Sequence, residues 1–287
     1  MSVLKVNDLI VRLGLDQHEL DPGRWNNELL PHLPPHVAYG LTNYLNSSNK
    51  DKLTFSLYEH VDSSNVTPFL PEYDDLLRLY HLARTRKCLN VLEFGLGYST
   101  LFFAVALHVN ETKYAHVTNQ TIRRRRPYKH YSVDTCRSWI RHFKRMHMRN
   151  CSHQISNIID ISYSHAYTSE FNGRVCTFYK SIPNILPDLI YLDGPDQFSP
   201  RGQVGGISTR SSDRMPMAGD ILRFEHFLQP GTIIIVDGRA ANARFLFSNL
   251  QRQWIYEYFE SADQHIFLLD EDPLGVFNQN LLAHIYS

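Results

Sequence analysis

Val91-Leu92-Glu93-Phe94-Gly95-Leu96-Gly97-Tyr98-Ser99-Thr100 decides how this chain is read. Its apolar start suits a buried strand. An acidic residue, two glycines and two hydroxyls follow, and then the apolar-periodic run Leu101 to Val109. The pattern predicts strand, tight turn and helix, with the helix over 99–109. Glycines let a ligand approach the backbone closely, and the first turn of a helix offers unpaired N–H groups. The stretch therefore predicts a site for a nucleoside-bearing cofactor.

Downstream, strands and helices alternate. His130–Asp134 reads as a second strand ending in a carboxylate, and Thr135–Met148 as a basic helix carrying Trp139, Ile140 and Phe143. Ile158–Tyr163 and Val175–Tyr179 read as further strands, with a hairpin turn at Asn172-Gly173. Asp188–Leu192 is a buried strand running into Asp193-Gly194-Pro195, and Thr232–Asp237 is another that ends in Asp. Helices are expected over 220–228 and 240–251. Trp254–Phe259 and His265–Leu269 suit a closing antiparallel pair. Asn110–Lys129 reads as a polar, basic insertion, and Gln197–Met217 as a long loop of the kind that often serves as a lid.

Upstream, Val6, Leu9, Ile10 and Leu13 carry a helical period that ends at Asp21-Pro22-Gly23. Pro34-Pro35 opens a second helix, Asn46–Lys52 is a polar loop, Leu53–Leu57 alternates like a strand, and Pro71 starts another helix. The expected architecture is α/β: a doubly wound, mainly parallel seven-stranded sheet with a C-terminal antiparallel hairpin and an N-terminal, mostly helical extension. Residues 1–71 are expected to form the extension and 72–287 the main domain, as one compact unit.

Composition narrows the classes. Lys+Arg and Asp+Glu are both 29, so no global charge points to nucleic acid or an anionic membrane. Cys88, Cys136, Cys151 and Cys176 lack CxxC spacing, which argues against a zinc site or a disulfide framework. No signal peptide or membrane-length apolar run is evident, and a cytoplasmic location is the expectation. The basic run Arg123–Arg126, with Pro127-Tyr128-Lys129, could contact RNA, a phosphosugar or lipid headgroups; because the whole chain is neutral it is read first as a solvated loop, with no separate nucleic-acid-binding module.

Two cofactor readings compete for the turn. A dinucleotide fingerprint is GxGxxG; here Thr100 stands at the third glycine position, and no acid follows about 20 residues on. An NAD(P)-binding oxidoreductase stays open as the alternative, as does a non-catalytic scaffold. With Glu93 two residues before Gly95, the sequence resembles the class I S-adenosylmethionine-dependent methyltransferases. The further points of resemblance are Asp134 at the end of the second strand, Tyr191–Pro195, and Leu228-Gln229-Pro230-Gly231 before the next strand.

The resemblance implies S-adenosylmethionine as cofactor and Glu93, Gly95, Gly97, Tyr98, Ser99, Asp134 and Asp193 as its contacts. Asp134 would receive the ribose hydroxyls, Glu93 the ammonium group. The implied reaction is in-line methyl transfer to oxygen on a small-molecule or glycan acceptor. Asp193 is the first candidate for catalysis and His165 the second. A divalent metal such as Mg²⁺ on Asp193, Asp196 and Asp237 would lower the pKa of an acceptor hydroxyl. Arg239, like the loop residues Arg201, Arg210 and Arg214, is a candidate contact for an anionic substrate. The extension is the candidate interface for self-association.

Overall fold

The computed structural model describes residues 8–15, 24–47 and 71–287. The expected turn at 21–23, most of the loop at 46–52 and the strand at 53–57 lie outside the described residues.

Seven strands form the main sheet, in the spatial order β3-β2-β1-β6-β7-β9-β8. They are β1 (Asn90–Phe94), β2 (Lys129–Asp134), β3 (Ile159–Tyr163), β6 (Leu189–Leu192), β7 (Ile233–Asp237), β8 (Trp254–Phe259) and β9 (Gln264–Leu269). The first five are mutually parallel, and β9 pairs antiparallel with both β7 and β8. The mainly parallel, doubly wound sheet with its C-terminal hairpin is therefore as expected. The central strands β1 and β6 are buried along their whole length, which explains their unbroken apolar runs.

Register sets the geometry of the carboxyl edge. Phe94 lies beside Val133 on one side and Leu192 on the other, and Leu192 lies beside Val236. The next residues, Asp134, Gly95, Asp193 and Asp237, consequently stand in one row. The chain winds outward from β1 through β2 to β3 and returns to β6 on the other side of β1. That reversal leaves a crevice between the carboxyl ends of β1 and β6, the general ligand position in open α/β sheets.

Three elements differ from the sequence reading. The helix after the glycine turn runs from Tyr98 to Thr121, so most of the expected polar insertion is helical. Its first half is buried all round, and Asn110 marks the change to a largely exposed second half. Asn110 Nδ2 donates to the carbonyls of Ala83 and Cys88, both at 3.0 Å, satisfying the end of the helix Tyr73–Thr85. Polarity at Asn110 thus serves a neighbouring helix terminus rather than a loop.

The turn at Asn172-Gly173 is present, with φ of 49° and 69°. It joins β4 (Ala166–Phe171) to β5 (Arg174–Tyr179), a separate two-stranded sheet, rather than joining a strand of the main sheet. Positive φ at both central residues matches a type I′ hairpin. The third difference is a C-terminal helix, Val276–Tyr286, whose Leu281 and Ile285 pack against Leu89 and Tyr128. Gln197–Met217 contains only isolated bridges, as befits the expected loop.

Helices of the N-terminal part join the main core. Trp25, Leu29 and Leu41 belong to the same buried cluster as Leu101 and Phe102 on one face of the sheet. No described helix is long and apolar enough to cross a membrane.

Asp188 fixes the amino ends of β1 and β6. Its Oδ2 accepts the backbone N–H groups of Leu89 at 2.8 Å and Asn90 at 2.9 Å, and its Oδ1 accepts from Arg124 Nη2 at 2.7 Å. Both side chains of this ion pair are buried. Removing one partner of such a pair strands the other charge and costs about 3–5 kcal/mol. Asp188→Ala should lower unfolding free energy in urea by about that amount, and Asp188→Asn, which keeps acceptor oxygen, by less.

Candidate active site

Glu93 is the innermost polar group of the carboxyl edge, 1% exposed. Ser99 Oγ donates to its Oε1 and Thr100 Oγ1 to its Oε2. Both hydroxyls belong to the first turn of the helix Tyr98–Thr121, where a negative charge is favoured by the helix dipole. His130 Nε2 on β2 lies 3.2 Å from Oε2 without hydrogen-bond geometry. Glu93 therefore ties the end of β1 to the start of the helix and fixes the turn between them.

Gly95 has φ +108°, which a side chain rarely tolerates. A Cβ there would lie 3.3 Å from the backbone of Asp193 and Gly194. A Cβ on Gly194 would come within 2.7 Å of the Gly95 nitrogen and 2.9 Å of the Tyr179 hydroxyl. The two glycines allow the loops after β1 and β6 to touch. Gly95 is thus required first by the opposing backbone; Gly97 is extended and meets only Ser99 Oγ, at 3.6 Å.

Above this junction opens a cavity of about 550 Å³. Gly95, Gly97, Tyr98, Ser99, Asp134, Asp193, Asp196, Asp237 and Arg239 all line it, so most of the expected site residues converge. Glu93 lies beneath the lining and His165 outside it. His165 is exposed, with its ring against Tyr163, whose hydroxyl is 2.9 Å from Nδ1. Arg201, Arg210 and Arg214 do not reach the cavity.

The sequence reading missed several walls. Glu72 and Asp75 enter from the segment before the sheet, Trp139 from the helix after β2, and Tyr179 and Tyr191 from β5 and β6. Trp139 follows Asp134 by five residues on a helix start, a signal available in the sequence. Nothing local marks Glu72 or Tyr179, because their position depends on tertiary docking.

The charge balance of the walls is lopsided. Six carboxylates, Glu72, Asp75, Asp134, Asp193, Asp196 and Asp237, face one arginine, Arg239. Burial pushes Asp134 up to about 6, with nearby Glu93 and Asp196 adding to the rise and backbone N–H groups of Cys136 and Leu96 opposing it. Burial likewise raises Asp75 to about 6, against the pull of Arg78. Asp193 is pushed up to about 7 by the enclosing walls, opposed by Arg239 and helped by Asp237 and Glu93. Its side chain is 54% open, so water entering the cavity holds it nearer the ordinary carboxylate range. Asp237 is raised by burial despite the Tyr191 hydroxyl, which donates to it at 2.7 Å.

Asp134 Oδ1 accepts the N–H of Cys136 at 2.6 Å, and Cys136 in turn caps the helix Arg137–Met146 by accepting the Trp139 N–H on its sulfur. A carboxylate has about four acceptor positions, which leaves capacity for a diol. Arg239 is largely committed: Nη1 donates to the Pro195 carbonyl at 2.8 Å and Nη2 to that of Asp193. It shapes the loop after β6 rather than standing free as an anion clamp.

The expected metal set does not assemble. Among the described residues no group of three metal-ligating side chains converges. Asp196 closes its own turn onto the N–H groups of Phe198 and Ser199. Asp237 is occupied by Tyr191 and by Gln264 Nε2 at 3.1 Å. Asp193, Asp196 and Asp237 therefore do not fit Mg²⁺ in this arrangement.

No protein-family model matches the chain, and no curated protein matches it significantly. Among solved structures, it is similar to the O-methyltransferase TomG of Streptomyces achromogenes in complex with SAM. The two share 13% identity and a TM-score of 0.37, over 70% of this chain and 82% of that one. An O-methyltransferase from Bacillus cereus in complex with SAH shares 11% identity and a TM-score of 0.37, over 73% and 84%. The SAH-bound methyltransferase PaMTH1 of Podospora anserina shares 13% identity and a TM-score of 0.40, over 95% and 100%. Values this low carry no inference about the chemistry of this chain.

Gly194→Ala tests the junction on which the cavity floor rests. Its methyl group meets backbone, which cannot swing aside as a side chain does. Overpacking of this kind costs about 1–3 kcal/mol. Calorimetry should show a melting temperature lowered by several degrees; an unchanged melting temperature would mean that the two loops part without cost.

Proposed function

We infer that the chain is an S-adenosylmethionine-dependent methyltransferase acting on oxygen of a small-molecule or carbohydrate-like acceptor. The observation that carries this reading is the cavity at the carboxyl edge, where six carboxylates and several aromatic rings surround one committed arginine. Such walls favour a cation, and S-adenosylmethionine carries both a sulfonium and an ammonium group. A dinucleotide would bring a diphosphate to the same carboxylates, which disfavours the oxidoreductase alternative.

Asp134 fits the ribose diol, since it stands at the end of β2 with acceptor capacity left after taking the Cys136 N–H. Ser99 and Thr100 hold Glu93 in place, so its charge acts on a bound cation from beneath the floor. Bound S-adenosylmethionine supplies an electrophilic methyl group on a sulfonium that loses its charge on transfer. Asp193, raised and accessible, is suited to take the acceptor proton as a general base. His165 would require the acceptor to reach beyond the cavity. No step uses a metal.

Titration calorimetry with S-adenosylmethionine and with NADPH separates the readings. Saturable binding of the first and none of the second is expected. Asp134→Ala should abolish it. Asp134→Asn, which keeps an oxygen for the Cys136 N–H, should melt like the parent yet bind at least about tenfold more weakly, a loss of about 1.4 kcal/mol. Binding of NADPH alone would overturn the reading, as would normal affinity in both variants.

The raised carboxyls also set a pH dependence. Each holds its proton more tightly in the folded chain than in the unfolded one. For Asp75 and Asp134 that contribution to stability is full below about 4 and lost as pH rises through about 6. A bound cation favours the ionised forms, so binding should release protons and tighten between about pH 5 and pH 7. Calorimetry in two buffers of different ionisation heat reads that release. Turnover should rise with pH as Asp193 loses its proton, and Asp193→Asn should remove the rise.

A further inference from the structure

The second large concavity lies away from the acidic cavity, shares no lining residue with it, and has the opposite charge. It is an open cleft of about 1030 Å³ over β2 and β3. Arg123, Arg124, Arg125 and Arg126 line it, against a single acid, Asp160. Arg124 is spent on Asp188 and Gln229. Arg123, Arg125 and Arg126 are exposed, and among the described residues none has a carboxylate partner.

The charge continues beyond the cleft. Residues 123–149 carry ten Lys and Arg and one acid, Asp134, which belongs to the other cavity. Arg137, Arg141, Lys144 and Arg145 are exposed at i, i+4, i+7 and i+8, one stripe of the helix Arg137–Met146. The Arg137 guanidinium stacks 3.8 Å from the centre of the Tyr163 ring, and Tyr163 lines the cleft. Stripe and cleft therefore form one surface. Aromatic rings are set among the cations: Arg123 lies 5.4 Å from the Phe277 ring, Phe277 is 49% exposed and Phe227 75% exposed, and both line the cleft.

We propose that this cleft and the adjoining helix stripe bind single-stranded nucleic acid. Cations in a groove track a phosphate backbone, and exposed rings between them accept unpaired bases. An anionic membrane would be met better by a convex basic face, and a duplex would not present its bases to Phe227 and Phe277. Whole-chain neutrality hides the site because the acids are concentrated elsewhere, six of them around the other cavity.

The test is fluorescence anisotropy of the full chain with a labelled oligouridylate of about twelve nucleotides, from 50 to 300 mM salt. Saturable binding is expected, with affinity falling steeply with salt at about 0.7 log units per phosphate contact for each tenfold rise in salt. Arg125→Glu/Arg126→Glu and Arg141→Glu/Lys144→Glu/Arg145→Glu should each weaken it at least tenfold with the fold retained by circular dichroism. Phe277→Ala should weaken it at least about fivefold, within the range for loss of one stacked base. The proposal is overturned by no saturable binding at 50 mM salt or by charge reversals without effect. It is equally overturned by an unaffected Phe277→Ala, or by tighter binding to duplex, heparin or phosphatidylserine vesicles. No methyl donor is present, so failure here leaves the cofactor reading untouched.

Discussion

A buried carboxylate holds the carboxyl edge together. Glu93 ends a fully buried strand, and two hydroxyls from the first turn of the following helix satisfy it. Burying an unpaired carboxylate is prohibitively costly, so strand, turn and helix must meet in this arrangement or Glu93 must leave the core. The glycine turn is drawn tight as a result. Gly95 and Gly194 then let the loops after β1 and β6 touch, and the row Asp134, Gly95, Asp193, Asp237 follows from strand register.

Much of this is local and therefore legible in the sequence. Buried parallel strands read as unbroken apolar runs, and the acids that end them stand out against those runs. Asp134, Asp193 and Asp237 were readable for that reason. Features that arise from docking were not. Asn110 looks like a loop residue, yet it completes the end of the helix Tyr73–Thr85. Glu72 and Asp75 precede the sheet and enter the cavity only because their helix packs across it. The metal expectation, drawn from the resemblance, depends on docking in the same way: it named Asp193, Asp196 and Asp237, and in the fold Tyr191, Gln264 and the turn of Asp196 engage two of the three.

Charge is sorted by region rather than balanced locally. The equal totals of 29 basic and 29 acidic residues conceal an acidic concavity at the crevice between β1 and β6 and a basic one over β2 and β3. Strand β2 serves both: Tyr131 lines the basic cleft, and Asp134, one residue past Val133, opens into the acidic cavity. Opposite potentials therefore stand at two separate places served by one strand.

The helix Tyr73–Thr85 has a consequence that reaches past its packing. It belongs to the core on one side, while Asp75, with Glu72 just before it, forms a wall of the acidic cavity on the other. Any ligand that gains from that wall must also hold the helix down, by the same free energy. Occupancy of the cavity therefore adds to the stability of that helix's docking. A chain shortened to begin at β1 would lose part of that wall together with the core residues Leu76, Leu79 and Tyr80 that the helix buries.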